Sequence, residues 1–554
     1  MRSSMIAGGF AAFLVLGTAL TPATAAPPPV KPRLIVAISV DQYSSELYRR
    51  YLPSYTGGLK TLSSGVSFPV GYQSHAATET CPGHSTILSG RHPSATGIVA
   101  NSWFDAKTGS SIYCVQAPGS SDPNARGPQN MHVTTLGDWV KAAEPGARSF
   151  AVSGKDRAAI TMGGKHADGV YWWVDGEGFT TSPFAGPATP AVTRPAATFN
   201  SALLVRWKAR KPVLWAAPSA ACAALEQPHR FGRIDISGRV PPDIAAHVED
   251  NPQFLKTTDF QDNLRASPLF DATVEQFAER VIAGNHLGHG PATDVLAVSL
   301  SANDYIGHRY GNGGAEMCVQ QASLDRTLGR FVQYLDTLGV PVMVVLTADH
   351  GATDAAEREH EHDDKASRLD SFNFVSRLNE AVMEQTGLSY EPIVGDDPQQ
   401  LTINVGPDEA LRTKVRDAAL TWLKQQPEVR EVFTRAQVEA AVVPPHTPPT
   451  ELSFAQRFHE SYDKDRSGDI AVAYGERTSF GMPRGPGDVV AGHGSPWNHD
   501  REVPILFWWP GATAEARATP IETVDIAPTL AAIAHVKTPE VDGQCLDLGG
   551  NCAK

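Results

Sequence analysis

The sequence lacks an excess of positive charge: its 554 residues include 47 Lys and Arg against 60 Asp and Glu, a formal net charge of −13. A protein whose main partner is a nucleic acid or an anionic membrane needs a basic surface. The charge balance therefore excludes both as main partners, although a small anionic substrate can still bind in a locally positive pocket. With 48 Gly and 42 Pro, the composition indicates a globular, loop-rich chain of one large domain with insertions or of two to three domains.

The sequence also lacks a hydrophobic run long enough to span a bilayer. Its most apolar stretch, Ile6 to Leu20, is short for a membrane helix. Arg2 precedes this stretch, and Ala23-Thr24-Ala25 after it fits a small-x-small cleavage site, so residues 1–25 are predicted to be a signal peptide. The mature chain is then expected to begin near Ala26, without an integral membrane segment, and to be periplasmic or secreted.

Cysteine is scarce, and the six cysteines are Cys81, Cys114, Cys222, Cys318, Cys545 and Cys552. An even number in an exported chain favours disulfides, although six cysteines allow many pairings. A bond between Cys545 and Cys552 would close a short loop near the end of the chain. A bond between Cys81 and Cys114 would fix the loop behind Thr80, and both pairings are expectations at this point.

Two cysteine-based catalytic motifs are absent. Pro82 follows Cys81 directly, so the C-x-P-x-R pattern of sulfatases is missing. Ile87 stands six residues after Cys81, so the C-x5-R loop of cysteine phosphatases is missing too. These absences argue against a sulfatase and against Cys81 as a nucleophile.

The stretch Ser74–Gly90 passes from a loop of small polar residues into a predicted helix, with Pro82 where a first helical turn tolerates proline. A hydroxyl on Thr78 or Thr80 would face the positive end of the helix dipole and free backbone N–H groups. This setting suits a nucleophile that must meet a phosphate or another anion. The alternative is a capped loop-to-helix junction, so the interpretation depends on metal ligands and anion-binding groups elsewhere in the chain.

Three apolar runs read as buried parallel strands, and each is followed by an aspartate: Leu34–Val40 by Asp41, Asp294–Leu300 by Asp304 and His308, and Val342–Leu346 by Asp349 and His350. Ligands of open α/β sheets gather outside the carboxyl ends of the strands. A carboxylate at one strand end is commonplace, but three such ends, two with a nearby histidine, predict a shared site.

Strand-like and helix-like segments alternate along the chain, which predicts an α/β fold with a mostly parallel sheet between helix layers. Further strands are expected at Ser149–Ser153, Gln400–Val405 and Val503–Trp508, and helices at 134–145, 273–284, 320–338 and 524–530. Residues 26–367 are predicted to form the first part of the core, with a less regular insertion at about 180–260. Residues 368–480 are predicted to be an α/β insertion or cap, and 481–554 to complete the core.

With His493 in the loop Gly492–Pro496, the strand-end residues supply three carboxylates and three imidazoles. Oxygen and nitrogen ligands without thiolate suit Zn²⁺ or a similar metal better than Ca²⁺. Six ligands are too many for one tetrahedral ion but suit two, and a metal pair clamps an in-line displacement at phosphorus. A metal-bound hydroxyl loses its proton more readily, which makes Thr80 a credible nucleophile. A non-catalytic exported metal- or phosphate-binding protein is the alternative from another class.

The series Asp41, Thr80, Asp304-x3-His308, Asp349-His350 and His493 resembles the alkaline phosphatase superfamily. More narrowly, it is similar to the branch that holds nucleotide pyrophosphatase/phosphodiesterases and the periplasmic threonine-nucleophile alkaline phosphatases, in the same order from about Leu34 to Leu530. The resemblance implies an alkaline-phosphatase-like fold, Thr80 rather than Thr78 as the nucleophile, and two Zn²⁺ per chain. The implied ligands are Asp304, His308 and His493 for one ion, and Asp41, Asp349 and His350 with Thr80 Oγ for the other.

Two further segments extend the resemblance. Gly97–Asn101 is similar to the G-I-x-x-N motif of that branch, in which the amide of the asparagine contacts a phosphoryl oxygen. Lys155 and Arg157 alone would be part of a polar turn, but beside a metal site they look like the K-x-R pair of the monoesterase subgroup. A monoester dianion has charged oxygens that no second ester group covers, and an ammonium with a guanidinium would neutralise them.

The sequence thus predicts an exported, zinc-dependent alkaline phosphatase that hydrolyses small phosphate monoesters through a phosphothreonine intermediate. Asn101, Lys155 and Arg157 are expected to stabilise charge on the equatorial phosphoryl oxygens, mainly by position and electrostatics. A phosphodiesterase or nucleotide pyrophosphatase of the same superfamily is the alternative.

Overall fold

The computed structural model describes residues 29–120, 122, 125–241, 252–395, 397–485 and 487–552. The predicted signal peptide, residues 1–25, lies outside the described residues. No helix within these ranges combines the length and the apolar character that a bilayer crossing requires.

A nine-stranded sheet lies at the centre of the described structure. Its strands, in spatial order, are β19 (Glu515–Ala516), β2 (Val66–Tyr72), β18 (Glu502–Trp508), β11 (Val342–Thr347), β1 (Leu34–Val40), β10 (Asp294–Leu300), β5 (Ser149–Ser153), β6 (Gly169–Val174) and β7 (Gly178–Thr180). The five strands from β11 to β6 are parallel to one another, whereas β18 and β7 are antiparallel to their neighbours β11 and β6. The prediction of a mostly parallel α/β sheet is confirmed.

Smaller sheets and many helices surround the central sheet. The remaining strands are β3 (Ser102–Asp105) with β4 (Ser110–Tyr113), β8 (His229–Phe231) with β9 (Ile234–Ile236), β12 (Ser367–Leu369) with β17 (Thr478–Phe480), and the sheet β13 (Ile393–Val394), β14 (Gln400–Ile403), β16 (Ile470–Tyr474), β15 (Val429–Thr434). The helices are α1 (Ser45–Tyr51), α2 (Gly58–Leu62), α3 (Thr80–Ile87), α4 (Pro93–Thr96), α5 (Leu136–Ala143), α6 (Asp156–Gly163), α7 (Pro190–Ala209), α8 (Ala220–Ala223), α9 (Thr258–Arg265), α10 (Pro268–Asn285), α11 (Ala302–Tyr310), α12 (Ala315–Thr337), α13 (Ala356–Glu359), α14 (Ser371–Thr386), α15 (Glu409–Leu423), α16 (Arg435–Ala440), α17 (Phe454–His459), α18 (Asn498–Arg501) and α19 (Ile526–Ile533).

Strand β1 explains why an unbroken apolar run forms a strand here. Leu34, Val36 and Ile38 point to one face and pack in the core that includes α10 and α12. Ile35 and Ala37 point to the other face and pack in the core that includes α5 and α19. A strand covered on both faces is apolar at most positions, and burying each large side chain stabilises the fold by about 1.5–3 kcal/mol.

The register of β1 with its two neighbours brings the strand-end aspartates to one edge. Ser39 pairs with Ser299 of β10 and with Thr347 of β11, so the three strands end at the same level. Each chain then turns into the loop or helix that carries Asp41, Asp304 or Asp349. Convergence of these side chains therefore follows from the parallel register.

Residues 368–480 include a four-stranded sheet with α14 and α15 packed against it around a separate apolar core. The predicted strand at Gln400–Val405 is observed as β14, two residues shorter at its end. Val415 and Ala418 of α15 are buried in that core.

The expectation that residues 180–260 are less regular is wrong for part of this range. Helix α7 spans 20 residues, Pro190–Ala209, and contains Pro195. Its buried side chains follow one another at intervals of three or four residues: Val192, Ala196, Phe199, Leu203 and Trp207. The prolines obscured this apolar face, but both lie within the first two turns, where fewer intrahelical N–H bonds are lost than in the middle of a helix.

Three disulfides join described residues: Cys81–Cys114, Cys222–Cys318 and Cys545–Cys552. The first and last of these are the two pairings expected from the sequence. The Cys222–Cys318 bond links α8 to α12, so it fastens the segment after α7 to the core.

Candidate active site

Helix α3 begins at Thr80, and the preceding residue, Glu79, has the extended backbone of an N-cap. Pro82 lies in the first turn, as expected. The two candidate hydroxyls differ in their contacts, because Thr78 Oγ1 donates a hydrogen bond to Ser495 O at 2.8 Å. Thr80 Oγ1 instead accepts a hydrogen bond from Arg157 at 3.3 Å. The contacts of Thr78 are thus structural, whereas Thr80 faces a cation at the start of a helix.

The predicted metal ligands meet at the carboxyl edge of the sheet. His308 Nε2 and His493 Nε2 lie 3.1 Å and 3.5 Å from Asp304 Oδ1. His350 Nε2 lies 3.5 Å from Asp41 Oδ1 and 3.3 Å from Asp349 Oδ2. The described chain has four groups of three candidate ligand atoms within 4.8 Å of one another, and three of the groups contain predicted ligands: Asp304, His308 and His493; Asp41, Asp304 and His350; and Asp41, His84 and Asp349.

All three imidazoles are oriented through Nδ1. His308 Nδ1 contacts Ala491 O at 2.7 Å, His350 Nδ1 contacts Gly351 O at 3.0 Å, and His493 Nδ1 contacts Thr78 O at 2.8 Å. A backbone carbonyl can only accept, so Nδ1 carries the proton in each ring. The neutral ring then has a lone pair on Nε2, which is the orientation that metal-binding histidines adopt.

The donor atoms fit a divalent metal ion. Among the described residues, His350 Nε2 and Asp41 Oδ1 have no hydrogen-bond partner, although both side chains are fully buried. Such atoms are rare and cost free energy unless a ligand, ion or water satisfies them. Carboxylate and imidazole ligands without thiolate suit Zn²⁺ and similar ions.

The ionisation of these groups agrees with a strongly anionic site. Burial, followed by the charges of Asp304 and Asp349, raises the pKa of Asp41 to about 8. Burial lowers the pKa of His350 to about 3, so this ring is neutral and able to bind a metal at physiological pH. Among these aspartates, Asp41 is thus the one whose negative charge the protein's own cations do not compensate fully, and a divalent cation would.

Lys155 lies between two of the candidate metal ligands, Asp41 and Asp304. Its Nζ is 2.7 Å from Asp41 Oδ2 and 2.5 Å from Asp304 Oδ2, and the side chain is buried. Each carboxylate therefore turns Oδ1 toward the imidazoles and Oδ2 toward the ammonium. Although burial opposes it, the charges of Asp304 and Asp41 raise the pKa of Lys155, so the ammonium stays charged.

Arg157 and Asn101 border Thr80 on other sides. Besides its contact with Thr80 Oγ1, the Arg157 guanidinium donates to Tyr113 OH at 3.5 Å. Asn101 Oδ1 accepts the Cys81 N–H at 2.9 Å, so the Nδ2 group is the end of the amide that can donate to an anion. A cavity of about 770 Å³ opens beside Lys155 and Arg157, and its lining includes Arg126, Trp172, Arg265 and Tyr305.

Two residues of the site were missed in the sequence analysis. His84 Nδ1 lies 2.9 Å from Thr80 O and 3.0 Å from Asp349 Oδ2, while Nε2 lies 3.0 Å from Ser299 Oγ. Its position four residues after Thr80 in a predicted helix was a usable signal, because residues i and i+4 share a helix face. His84 thus connects the first turn of α3 to a candidate metal ligand.

Gln42 is the other missed residue, and it contacts one candidate ligand from each of the two predicted zinc sites, Asp349 and Asp304. Its N–H donates to Asp349 Oδ1 at 3.1 Å and its Nε2 donates to Asp304 Oδ1 at 3.2 Å. The backbone of Gln42 has φ of +63°, which is unfavourable for a residue other than glycine. No sequence pattern signals such a residue, because its role depends on two strand ends that are distant in the chain.

The site combines a hydroxyl at a helix start, groups of atoms that could hold a metal ion, and several donors that could contact an anion. These parts are the ones required for nucleophilic displacement at a phosphorus centre, in which charge develops on oxygens around the reacting atom. They are contributed by α3, by the ends of β1, β10 and β11, by the segments around Asn101 and Arg157, and by the loop that carries His493.

Comparisons with known proteins point in the same direction. The sequence profile of the family described as type I phosphodiesterase / nucleotide pyrophosphatase matches residues 35–496. The alkaline phosphatase PhoK of a Sphingomonas species is 40% identical over 531 residues, which cover 93% of this chain and 91% of PhoK. The alkaline phosphatase PhoD of Zymomonas mobilis is 39% identical over 93% of this chain and 88% of PhoD.

A solved structure has a similar fold. The crystal structure of the wild-type alkaline phosphatase PafA superposes with a TM-score of 0.79, covering 94% of this chain and 99% of PafA. The sequence identity in that superposition is 24%, so the likeness concerns the fold. The large central sheet and its flanking helices are thus shared with a phosphatase of known structure.

Proposed function

Because the chain belongs to the type I phosphodiesterase / nucleotide pyrophosphatase family, we propose that it is an exported, zinc-dependent alkaline phosphatase acting on phosphate monoesters. It is a phosphoric monoester hydrolase by its similarity, at 40% and 39% identity over most of the chain, to two curated alkaline phosphatases. The observation that carries the ester preference is the position of Lys155 and Arg157 beside Thr80 and the ligand cluster.

Two zinc ions per chain are proposed as cofactors. The residues that would hold them are Asp304, His308 and His493 for one ion, and Asp41, Asp349 and His350 with Thr80 for the other. Zinc supplies Lewis acidity, which favours deprotonation of a hydroxyl and stabilises the negative charge that develops in the displacement.

In the proposed reaction, the Thr80 oxygen forms a bond to phosphorus while the bond from phosphorus to the ester oxygen breaks. The alcohol leaves, and water then cleaves the phosphothreonine to release inorganic phosphate. The Arg157 guanidinium, 3.3 Å from Thr80 Oγ1, and the Asn101 Nδ2 group would donate to the equatorial oxygens. Activity should rise on the alkaline side, because the nucleophile acts in its deprotonated form.

A preference for monoesters follows from the charges around the phosphoryl position. A monoester dianion brings two negative charges, whereas a diester brings one and a second organic group. Lys155 and Arg157 are both buried or partly buried cations at this position, so they favour the ligand with more charge and less bulk.

Export is proposed on two grounds. Residues 1–25 have the pattern of a signal peptide. The three disulfides of the described chain are typical of an oxidising compartment such as the periplasm or the cell exterior.

The test is metal analysis together with kinetics on an aryl phosphate monoester and the matching diester, with one protein preparation. We expect activity with zinc, loss of activity with a chelator, and a higher kcat/KM for the monoester. Thr80→Ala should lower turnover by roughly a thousandfold or more because the nucleophile is gone. Thr80→Ser retains the hydroxyl and is the matched control, so near-wild-type turnover of Thr80→Ala would disprove the assignment.

The second candidate is a phosphodiesterase or nucleotide pyrophosphatase, which the description of the matching family favours. The same kinetics decide between the two. If kcat/KM for the diester exceeds that for the monoester, the diesterase replaces the proposal.

A further inference from the structure

The hairpin formed by β3 and β4 begins directly after Asn101 and ends directly before Cys114. Its first pair joins Ser102 to Tyr113, and the Cys114 N–H donates to Asn101 O at 2.9 Å. We call residues 101–102 and 113–114 the hairpin base. The two strands pair only with each other among the described strands, so the ladder of the central sheet does not position the hairpin base.

A disulfide joins the hairpin base to the helix that begins with Thr80. Cys81 follows Thr80 directly, Cys114 belongs to the hairpin base, and both cysteines are buried in the apolar core behind α3. The bond therefore fixes the distance between the proposed nucleophile and the hairpin base.

Asn101 is held by three contacts at this junction. Its side-chain Oδ1 accepts the Cys81 N–H at 2.9 Å, and its own N–H donates to Glu79 Oε2 at 2.6 Å. Its carbonyl accepts the Cys114 N–H. Two of the three contacts come from the disulfide-linked cysteines, and together they orient the amide so that Nδ2 is the end that can meet an anion.

The hairpin base also contacts the neighbours of Arg157. Tyr113 OH donates to Asp156 Oδ1 at 2.6 Å and accepts from Arg157 at 3.5 Å. The same guanidinium donates to Thr80 Oγ1. One strand of the hairpin therefore begins directly after Asn101, and the other ends at Tyr113, which contacts Arg157.

We propose that the Cys81–Cys114 disulfide is a positioning element of the phosphoryl-binding site. By fastening the hairpin base to α3, it holds Asn101 and Arg157 at the distance from Thr80 that binding of a phosphoryl group requires. The inference rests on the proposed function. Phosphate binding should then depend on the oxidation state of these two cysteines. A dithiol reductant supplies two electrons and two protons, converts the bond to two thiols and is itself oxidised to a disulfide. The hairpin base is then no longer fastened to α3.

The three aspartates among the proposed zinc ligands should be unaffected by loss of this bond. Asp41, Asp304 and Asp349 follow strands of the central sheet and are held by its ladder rather than by the hairpin base. A defect that originates in the hairpin base is therefore expected in anion binding, with metal content unchanged.

The experiment compares the double variant Cys81→Ala/Cys114→Ala with the wild type. Measured quantities are the inhibition constant of inorganic phosphate, KM and kcat for an aryl phosphate, and zinc content. We expect the inhibition constant and KM to rise roughly tenfold or more, by loss of a charge-assisted contact, with zinc at the wild-type level. Cys545→Ala/Cys552→Ala removes another disulfide and is the matched control, expected to bind phosphate as the wild type does.

A second comparison separates positioning from general destabilisation. The cysteine changes are repeated in an Asn101→Ala background, where one of the positioned groups is already missing. Their effect on phosphate binding should then be smaller, because two changes in one network are not additive. Equal fold losses in both backgrounds would overturn the proposal, as would loss of zinc in the double variant.

If the double variant does not fold, reversible reduction replaces it. A variant with the other four cysteines changed to Ala keeps only Cys81–Cys114, and phosphate binding is followed by calorimetry during reduction and reoxidation. Unchanged binding with two titratable thiols would refute the proposal. Because calorimetry measures binding without turnover, a protein that binds phosphate but hydrolyses no ester contradicts the proposed function alone.

Discussion

Replacing Lys155 with Met removes a buried ammonium and keeps a side chain of similar length. Nζ lies 2.7 Å from Asp41 Oδ2 and 2.5 Å from Asp304 Oδ2, so both oxygens lose their nearest cation. We therefore expect two separate losses in Lys155→Met. One is in the reaction of monoesters, and the other is in the stability of the protein after treatment with a chelator.

The expected sizes follow from the type of contact. A hydrogen bond to a charged group contributes about 1.5–3 kcal/mol, so kcat/KM for a monoester should fall roughly 10- to 150-fold. A diester has less charge at this position, and its kcat/KM should fall by less than about tenfold. Removing one partner of a buried ion pair costs about 3–5 kcal/mol, which is the expected loss of unfolding free energy in the chelator-treated protein.

The assay has two arms. Monoester and diester kinetics are measured with zinc in excess, and urea unfolding is measured with a chelator present. Arg157→Met is the comparison variant, because the Arg157 guanidinium contacts the hydroxyls of Tyr113 and Thr80 rather than two metal-ligand carboxylates. It should lower monoester turnover without the loss of stability expected for Lys155→Met.

Two results would refute this reasoning. Equal falls in the monoester and diester rates would show that Lys155 does not act through substrate charge. An unchanged urea midpoint in the chelator-treated Lys155→Met variant would show that the ammonium does not hold Asp41 and Asp304 together.

Two further predictions concern residues that do not themselves take part in the proposed displacement. Although burial opposes it, the carboxylates of Glu460 and Glu522, whose oxygens lie 3.1 Å and 3.8 Å from the ring nitrogens, raise the pKa of His92 to about 10. The stability that His92 contributes should be complete below its ordinary pKa near 6.5 and lost as pH rises through 10, so urea midpoints of the wild type and His92→Gln should differ at pH 7 and converge near pH 10.5. Gln42→Ala and Gln42→Gly both remove the contact with Asp304 and should weaken zinc binding roughly 10- to 100-fold in competition titrations. The free energy of unfolding of Gln42→Gly should exceed that of Gln42→Ala by about 1 kcal/mol, because glycine adopts φ of +63° without strain. Its urea midpoint should therefore be higher, and equal midpoints would contradict this.

The strand-end aspartates could be predicted from the sequence for a physical reason. A parallel strand covered on both faces is mostly apolar, so the polar residues that follow it mark the edge of the sheet. Strands Leu34–Val40 and Asp294–Leu300 have the predicted bounds, and parallel neighbours end at one edge. The identity and meeting place of these aspartates therefore needed no tertiary information beyond the fold class.

The partners of these aspartates could not be predicted in the same way. The contact of Gln42 with Asp304 crosses 262 positions of the chain, and that of Lys155 with Asp304 crosses 149. Neither contact has a local pattern, because it depends on how the strands are ordered in space. Lys155 illustrates the difference: its motif suggested a substrate ligand, but its observed contacts are with two candidate metal ligands.

The unequal surroundings of Lys155 and Arg157 bear on how the site could favour monoesters. The ammonium of Lys155 already faces two carboxylates, so much of its charge is compensated before any substrate binds. The guanidinium of Arg157 faces two hydroxyls, one of them the proposed nucleophile, and its charge is less compensated. Arg157 should then supply most of the direct attraction for the second charge of a monoester. Lys155 should add a smaller direct attraction for that charge and in addition keep Asp41 and Asp304 in place, so that one pair of cations serves both the substrate and the metal site.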